Sequence, residues 1–249
     1  MNSSNSEDFY KLEGEELEFF QDLTKIKDKD DLRAHIVAVQ RKAFEAVIDG
    51  WPADSVIASD LRQEFWNYGH ELFRSTPETF PANFVSGDVF NPTMLAPRGP
   101  FINNSEIFNI LSSPTPALPD LTNLTPLQGR ISAIHTSSFF DIFSEEEQHR
   151  LARVIASLLR PEAGSVIFGQ HSARPEKGFR KRWRGPATDA NSMFCHSPES
   201  WKELWLKGVF GEYDGKGEDR IKVDVELAQI ERNDLLDGNE QILAILKHQ

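Results

Sequence analysis

The feature that most constrains the fold of this chain is the alternation of short apolar runs with helical segments between residues 56 and 168. Apolar runs typical of buried strands stand at residues 55–59, 83–88, 130–135 and 164–169. This alternation predicts an α/β fold with a mostly parallel sheet. Ligands of open α/β sheets bind beyond the carboxyl ends of the strands, so we expect the functional site at that edge.

Two helices between these runs have clear signals. The helix expected at residues 61–73 has an apolar stripe formed by Leu61, Phe65, Tyr68 and Leu72. The helix after the third run begins with Ser144 as its N-cap and Glu147 three residues later, a capping-box pattern. Its apolar face continues to Leu159, and Pro161 ends it.

The domain organisation follows from composition along the chain. We predict a disordered start and an arm of two amphipathic helices for residues 1–45. We predict the α/β domain for residues 46–249. Residues 93–129 form a Pro-rich insertion, with at most a short helix at 106–111. Connections of this length are usually lids, binding loops or partly disordered insertions.

The C-terminal part continues the pattern less regularly. A Gly- and Arg-rich loop is expected up to Pro186, followed by a short helix capped by Ser197. An alternating strand is expected at residues 221–227, and a last apolar segment lies at 242–246. Three aromatic residues are expected in the core rather than on a ligand-binding surface, because their spacing is helical: Trp201, Trp205 and Phe210.

The charge balance excludes some partners. The 249 residues include 27 Lys and Arg against 39 Asp and Glu, a net charge of −12, which disfavours nucleic acid and anionic membrane surfaces. The basic run at residues 177–184, with Phe179 and Trp183, allows a nucleic-acid interpretation. The net charge favours instead a surface loop that attracts an acidic substrate.

The compartment and metal content follow from a few residue types. No run approaches the ~20 apolar residues of a membrane span, and no targeting signal is visible at the N-terminus, so we expect a soluble, cytoplasmic protein. The single cysteine, Cys195, excludes a disulfide framework and a cysteine zinc cluster. The seven histidines lack metal-ligand spacing, so no metal site is expected.

Two acidic residues stand where a nucleotide would bind. Asp60 closes the first strand-like run and Asp88 closes the second. In a nucleotide-binding sheet, one such acid accepts hydrogen bonds from the ribose hydroxyls and another takes the adenine amine. The alternative is that each aspartate caps the helix or turn that follows, which aspartate commonly does. The residues alone leave both interpretations open.

Four blocks of sequence carry a resemblance to a known family. They are IASDLRQEFWNYGHELF, FVSGDVF, ISAIHTSSFFDIFSEEEQHRLARVIASLLRPEAGSVIFGQH and FCHSPESWKELW. In this order they resemble fungal secondary-metabolite methyltransferases, class I enzymes of meroterpenoid and related clusters that use S-adenosylmethionine. The likeness runs from about residue 8 to the tail strand. It implies a Rossmann-like class I methyltransferase fold with a helical N-terminal arm.

The resemblance also implies the chemistry. The expected cofactor is S-adenosylmethionine, and the expected reaction is O-methylation of a carboxyl or hydroxyl group of a small acidic molecule derived from a terpenoid or polyketide. Asp60 and Leu61 would hold the ribose end of the cofactor, and Gly87, Asp88 and Val89 the adenine end. A homodimer is compatible with these expectations.

Two histidines are further candidates near the same edge. His135 closes the third strand-like run and is expected to help position the acidic substrate, with a structural role as the alternative. His171 follows the next run, and it too is expected to face the cofactor cleft. A carboxylate is already a nucleophile at neutral pH, so the enzyme's main task would be to hold it in line with the methyl group.

One departure from the family is large. Class I methyltransferases have a first strand followed by a glycine-rich turn, yet no GxG occurs between Asp31 and Val56. That strand lies at the centre of the sheet, between the second and the fourth, so an incomplete central sheet is expected. Three explanations stay open: the remaining strands close up, the helical arm fills the gap, or an exon has been skipped.

Three functions therefore remain possible on sequence alone. The first is an active methyltransferase, which the two strand-end aspartates favour. The second is a degenerate relative that does not methylate, which the missing glycine turn favours. The third is another nucleotide-binding α/β module, although the chain lacks both a GxGxxG motif and a P-loop lysine.

Overall fold

The computed structural model describes residue 47 and residues 50–181, 192–230 and 239–248, so the predicted arm at residues 1–45 lies outside the described residues. The helices are α1 (Gln63–Phe73), α2 (Asn104–Ser112), α3 (Glu145–Leu158) and α4 (Pro198–Glu203), and α4 continues into a π-helical segment, Leu204–Val209. The strands are β1 (Ile57–Asp60), β2 (Asn83–Ser86), β3 (Ala133–His135), β4 (Val166–Ser172), β5 (Gly178–Lys181), β6 (Ser192–Cys195), β7 (Ile221–Ile230) and β8 (Asn239–His248). The alternation of strands and helices predicted from the sequence is confirmed.

The chain divides into two compact units. The first ends at Asp88 and also includes Ala117–Asn123, and the second contains Val89–Pro116 and Leu124–Gln249. In the first unit β1 and β2 are parallel, with Asp60 opposite Ser86. Parallel neighbours need a crossover connection, and α1 supplies it here.

Trp66 is the centre of the first unit. It is buried with Phe80, and its ring stacks on Phe84 of β2 with centroids 5.1 Å apart and planes 15° from parallel. Ala58 of β1 packs against the same cluster. The helix α1 is confirmed, but Trp66, which covers the small sheet, is not in the predicted stripe, and Leu61 of that stripe is 63% exposed ahead of the helix.

The second unit has a four-stranded sheet in the order β3-β4-β8-β7. Only β3 and β4 are parallel neighbours in this sheet, because β8 runs antiparallel to both β4 and β7. Three of the four strands, β3, β4 and β7, therefore run in one direction, and β8 alone runs against them, so the sheet is mixed rather than wholly parallel. Only eight residues separate β7 from β8, which is too few for the crossover that parallel neighbours need.

The basic stretch after β4 contains a strand that was predicted as loop. β5 pairs antiparallel with β6, and Phe179 lies opposite Phe194 with ring centroids 5.7 Å apart. Such aromatic cross-strand pairs stabilise antiparallel ladders by about 0.2–1 kcal/mol. The prediction of a loop is wrong for Gly178–Lys181, because the apolar partner of Phe179 lies far along the sequence.

The core of the second unit is built on α3. Its predicted capping box is present, with the Ser144 hydroxyl accepting from the Glu147 N–H at 3.3 Å and the Glu147 carboxylate accepting from the Ser144 N–H at 3.0 Å. The helix ends at Leu158, before Pro161. The predicted core position of three aromatic residues is confirmed by their burial: Trp201, Trp205 and Phe210.

Two strand edges stand out in the described part of the chain. There, β1 pairs with β2 alone and β3 pairs with β4 alone. Residues 1–46, where the sequence lacks the family's first strand and glycine turn, lie outside the described residues, so the incomplete central sheet stays a prediction. None of the described helices is long and apolar enough to cross a membrane.

Candidate functional site

The carboxyl ends of β1 and β2 meet at the residues predicted to hold the adenosine part of a cofactor. The backbone N–H of Gly87 donates to the carbonyl oxygen of Asp60 at 2.9 Å. This bond continues the parallel ladder one step beyond the last strand residues. It brings the segment containing Asp60 and Leu61 next to the segment containing Gly87 and Asp88.

The Asp60 side chain also serves the turn that follows β1. Its Oδ1 accepts from the backbone N–H of Arg62 at 3.0 Å, so the capping role weighed as the alternative is real. The turn therefore orients the Asp60 carboxylate.

The residues next to Asp60 give this edge of the sheet both apolar and acidic surface. Leu61 is 63% exposed, so apolar surface lies directly beside the Asp60 carboxylate. Asp88 is exposed, and Val89, the first residue assigned to the second unit, is half-buried. A carboxylate beside apolar surface suits a sugar hydroxyl next to an aromatic base.

The two ends of S-adenosylmethionine fit these residues unequally. The acceptor oxygens of Asp60 and the apolar surface of Leu61 suit the adenosine end. The methionine end needs backbone groups from a glycine turn before β1. Gly50 is the only described glycine ahead of β1, and residues 53–55 between them form a 3-10 turn. The described residues thus fit the adenosine end and leave the methionine end without its usual anchor.

His135 lies in the second unit, at the end of β3. Its ring is half-buried and meets Phe168 edge to face, with centroids 5.1 Å apart. Its Nε2 lies 2.9 Å from the hydroxyl oxygen of Ser137. That same oxygen accepts from the backbone N–H of Gln170 at 3.2 Å, so Ser137 links the His135 ring to β4.

Sequence reasoning missed Ser137. Its position two residues after His135 puts both side chains on one face of the extended chain, which is the signal that was available. The next residue, Ser138, has a positive φ of 49°, an uncommon conformation for a residue other than glycine. The chain thus turns sharply immediately after this pair.

Gly169 fixes how closely this turn approaches β4. Its φ is 159°, and a Cβ at this position would lie 1.6 Å from the carbonyl oxygen of Thr136. Only glycine allows that approach. The N–H groups of Thr136 and Ser138 donate to the carbonyl oxygens of Phe168 and Gln170, at 2.9 and 2.8 Å. The backbone that follows His135 is therefore held against β4.

His171 does not belong to this edge. It is 3% exposed, and its ring packs against Phe140 at 5.0 Å and Trp201 at 5.3 Å. Burial lowers the pKa of His171 to about 4, although the Asp141 carboxylate acts in the opposite direction. The expectation that His171 faces a cleft is wrong, because the aromatic residues of α4 and of the turn before α3 enclose it.

Within the described ranges, no group of three or more His, Cys, Asp and Glu residues has the arrangement of a metal site. An α/β fold with paired carboxylates at adjacent strand ends is typical of proteins that bind a nucleoside-containing cofactor. Comparisons with known proteins indicate which proteins of this class the chain is similar to.

Residues 6–48 match the family model described as the meroterpenoid methyltransferase N-terminal domain. The O-methyltransferase phiE of a fungal species is 30% identical over 156 residues, which cover 63% of this chain and 41% of phiE. The asnovolin E/chermesin D methyltransferase nvfJ of Aspergillus novofumigatus is 25% identical over 161 residues, covering 65% of this chain and 46% of nvfJ. This chain therefore spans about half the length of the curated relatives it matches.

These matches confirm the resemblance found in the sequence, because the proteins this chain is similar to are named as fungal secondary-metabolite methyltransferases. Among solved structures, a SAM-dependent methyltransferase from Methanosarcina mazei is 9% identical with a TM-score of 0.45, and the match covers 77% of this chain and 81% of that one.

Proposed function

We propose that this chain acts as an S-adenosylmethionine-dependent methyltransferase of fungal secondary metabolism. Its substrate would be a small acidic molecule of terpenoid or polyketide origin, methylated on a carboxyl or hydroxyl oxygen. The observation that carries the proposal is the junction of Asp60 with Gly87 at the carboxyl ends of β1 and β2. The names of the relatives phiE and nvfJ support methylation over the alternative of a degenerate protein.

The residues have separate tasks in this proposal. Asp60 and Leu61 would hold the ribose end of the cofactor, and Gly87, Asp88 and Val89 the adenine end. The bound cofactor supplies an electrophilic methyl group on a sulfonium centre. Asp60 is suited to the ribose because the Arg62 N–H already orients its carboxylate, so less side-chain freedom is lost on binding.

The acceptor side of the reaction needs little proton transfer when the substrate is a carboxylate, because that group is already ionised at neutral pH. Orientation then dominates, and a small misplacement of the reacting oxygen costs a large factor in rate. His135 is our candidate for this positioning role. Its support is the rigid setting provided by Ser137 and by the approach of Gly169 to Thr136.

The surroundings of the protein are part of the proposal. The net charge of −12 argues against nucleic acid as a partner. The single cysteine, Cys195, is buried, and burial raises the pKa of its thiol to about 11, so it is a poor nucleophile. We propose a cytoplasmic location, which a reducing compartment would suit.

Transfer of a labelled methyl group tests the function directly. The purified chain is incubated with radiolabelled S-adenosylmethionine and a panel of terpenoid and polyketide carboxylic acids, with the corresponding alcohols as a second panel. We expect labelled ester or ether from at least one acceptor, at a low rate because the sequence has no GxG motif between Asp31 and Val56. Cofactor binding without transfer to any acceptor would favour the non-methylating alternative instead.

A further inference from the structure

The second unit has a groove that none of the predicted site residues line. Its volume is about 420 Å³, which is within the range of small-molecule sites. The groove lies beside α2, between the chain that leads into this helix and the segment that leads into β3. The residues that matter for its chemistry are Arg98, Phe101, Glu106, Ile110, Pro126 and Arg130.

Arg98 presents a guanidinium group at one end of the groove. It lies over the Phe101 ring, 3.6 Å from the centroid, and its Nε donates to the Gly99 carbonyl oxygen at 3.2 Å. Its Nη2 is 3.5 Å from the Glu106 carboxylate, a long and solvent-exposed contact of the kind that contributes little. These contacts use two of the five N–H donors of the side chain.

Arg130 presents a second guanidinium. Its Nη1 and Nη2 donate to the carbonyl oxygen and the hydroxyl of Ser113, at 3.1 and 2.8 Å. Both bonds go to neutral oxygens at the end of α2, so they fix the group in place, and no carboxylate of the described residues forms an ion pair with it. The ten lining residues thus include two cations and one anion, in a chain whose net charge is −12.

The floor of the groove is apolar and closely packed. Phe101 is 7% exposed, and it meets Ile110 directly above Gly129. Gly129 has a φ of 70°, and a Cβ there would lie 2.8 Å from both Ile110 Cγ1 and Phe101 Cε2. Glycine at this position therefore allows the two apolar side chains to close the floor.

We propose that this groove binds an apolar carboxylic acid, with its hydrocarbon skeleton on the floor and its carboxylate at Arg98, while Arg130 adds positive charge farther along the groove. Guanidinium groups bind carboxylates through charge-assisted hydrogen bonds, and the apolar floor excludes water from one side of them. The excess positive charge of the groove attracts an anion to a protein that otherwise repels it. The inference is independent of the proposed methyl transfer.

Calorimetric titration with dehydroabietic acid, a tricyclic terpenoid carboxylic acid, tests the proposal in the absence of S-adenosylmethionine. We expect the acid to bind and its methyl ester, which has the same skeleton without the charge, to bind at least tenfold more weakly. Arg98→Gln should weaken binding of the acid about tenfold or more, because it removes a charge-assisted contact. Glu106→Gln should tighten it several-fold by removing the only competing carboxylate of the groove.

Arg160→Gln is the matched control, because Arg160 is an exposed arginine paired with Glu162 and does not line the groove. It should bind the acid like the wild type. Thermal unfolding of each variant checks that the second unit is intact. Equal binding of acid and ester, equal binding by wild type and Arg98→Gln, or no binding of the acid up to its solubility limit would each overturn the proposal. None of these outcomes bears on methyl transfer, which is assayed separately.

Discussion

The backbone N–H of Gly87 donates to the carbonyl oxygen of Asp60 at 2.9 Å, and this bond joins the ends of β1 and β2. The proposed adenosine site depends on it, because it sets the separation of the two segments that would hold ribose and adenine. In the described part of the first unit, two strands and one α-helix position these residues. Small sheets of this kind are marginally stable by themselves, so the packing beneath the site has a direct effect on binding.

Trp66 is the residue whose removal should affect the first unit most. Trp66→Ala takes away the ring that stacks on Phe84, and we expect a loss of about 3–5 kcal/mol in the free energy of unfolding. Amide hydrogen exchange across β1 and β2 measures this loss locally. Trp51→Ala is the control, since Trp51 is 46% exposed in the same unit, and it should cost no more than about 0.5 kcal/mol. Equal exchange rates in the two variants would contradict the packing described here.

Gly169→Ala should destabilise the second unit by about 2 kcal/mol or more, because the new methyl group would overlap the carbonyl oxygen of Thr136. Urea denaturation followed by circular dichroism measures the change. Gly178→Ala is a matched control in a neighbouring strand, since a Cβ there meets no atom within 4 Å. If both variants unfold at the same urea concentration, this result would contradict the close approach of Gly169 in β4 to Thr136.

Two buried histidines should make stability depend on pH. Burial lowers the pKa of His171 and of His196 from 6.5 to about 4. Between these values the unfolded state binds more protons than the folded state, so stability falls as the pH drops from about 6.5 towards 4. We expect each histidine to lower the free energy of unfolding by roughly 2 kcal/mol at pH 5 relative to pH 7.5.

Urea denaturation at a series of pH values measures this loss. His171→Phe removes one of the titrating rings and keeps an aromatic side chain between Phe140 and Trp201. The free energy of unfolding of this variant should fall about half as steeply as that of the wild type over this pH range. An unchanged slope would show that another group is responsible.

Restoring the missing part of the sheet should improve cofactor binding. We expect insertion of a family-type first strand and glycine turn ahead of Ala46 to tighten S-adenosylmethionine binding and to raise the rate more than the affinity, because the methyl group must be held in line with its acceptor. Calorimetry and the methyl-transfer assay, run with and without the insert, measure both effects. Full activity in the chain without the insert would show that the glycine turn is not needed.

Local signals predicted much of this fold. The capping box at Ser144 and Glu147 placed the start of α3, and the apolar run ending at Asp60 placed β1 within two residues of its observed bounds. These elements depend on neighbouring residues, so the sequence is sufficient to find them.

Non-local partners account for what the sequence did not predict. β5 exists because Phe179 faces Phe194 fifteen residues later, and no local pattern indicates that pairing. His171 was expected at an exposed edge, but Phe140 and Trp201 enclose it from two other elements. Ser137 was missed although its contact with His135 is local. Serine is common in loops, so its presence there gave no distinctive signal.

The central claim is that Asp60 holds the ribose end of S-adenosylmethionine, and equilibrium dialysis of the labelled cofactor tests it most directly. We expect the wild type to bind weakly, and Asp60→Ala to bind about tenfold or more weakly still, because a charge-assisted hydrogen bond is worth roughly 1.5–3 kcal/mol. Asp88→Asn should lose less, since its amide oxygen still accepts a hydrogen bond. Asp54→Ala removes an exposed carboxylate ahead of β1 and should leave binding unchanged. Equal binding by wild type and Asp60→Ala, or no binding by the wild type, would contradict the assignment.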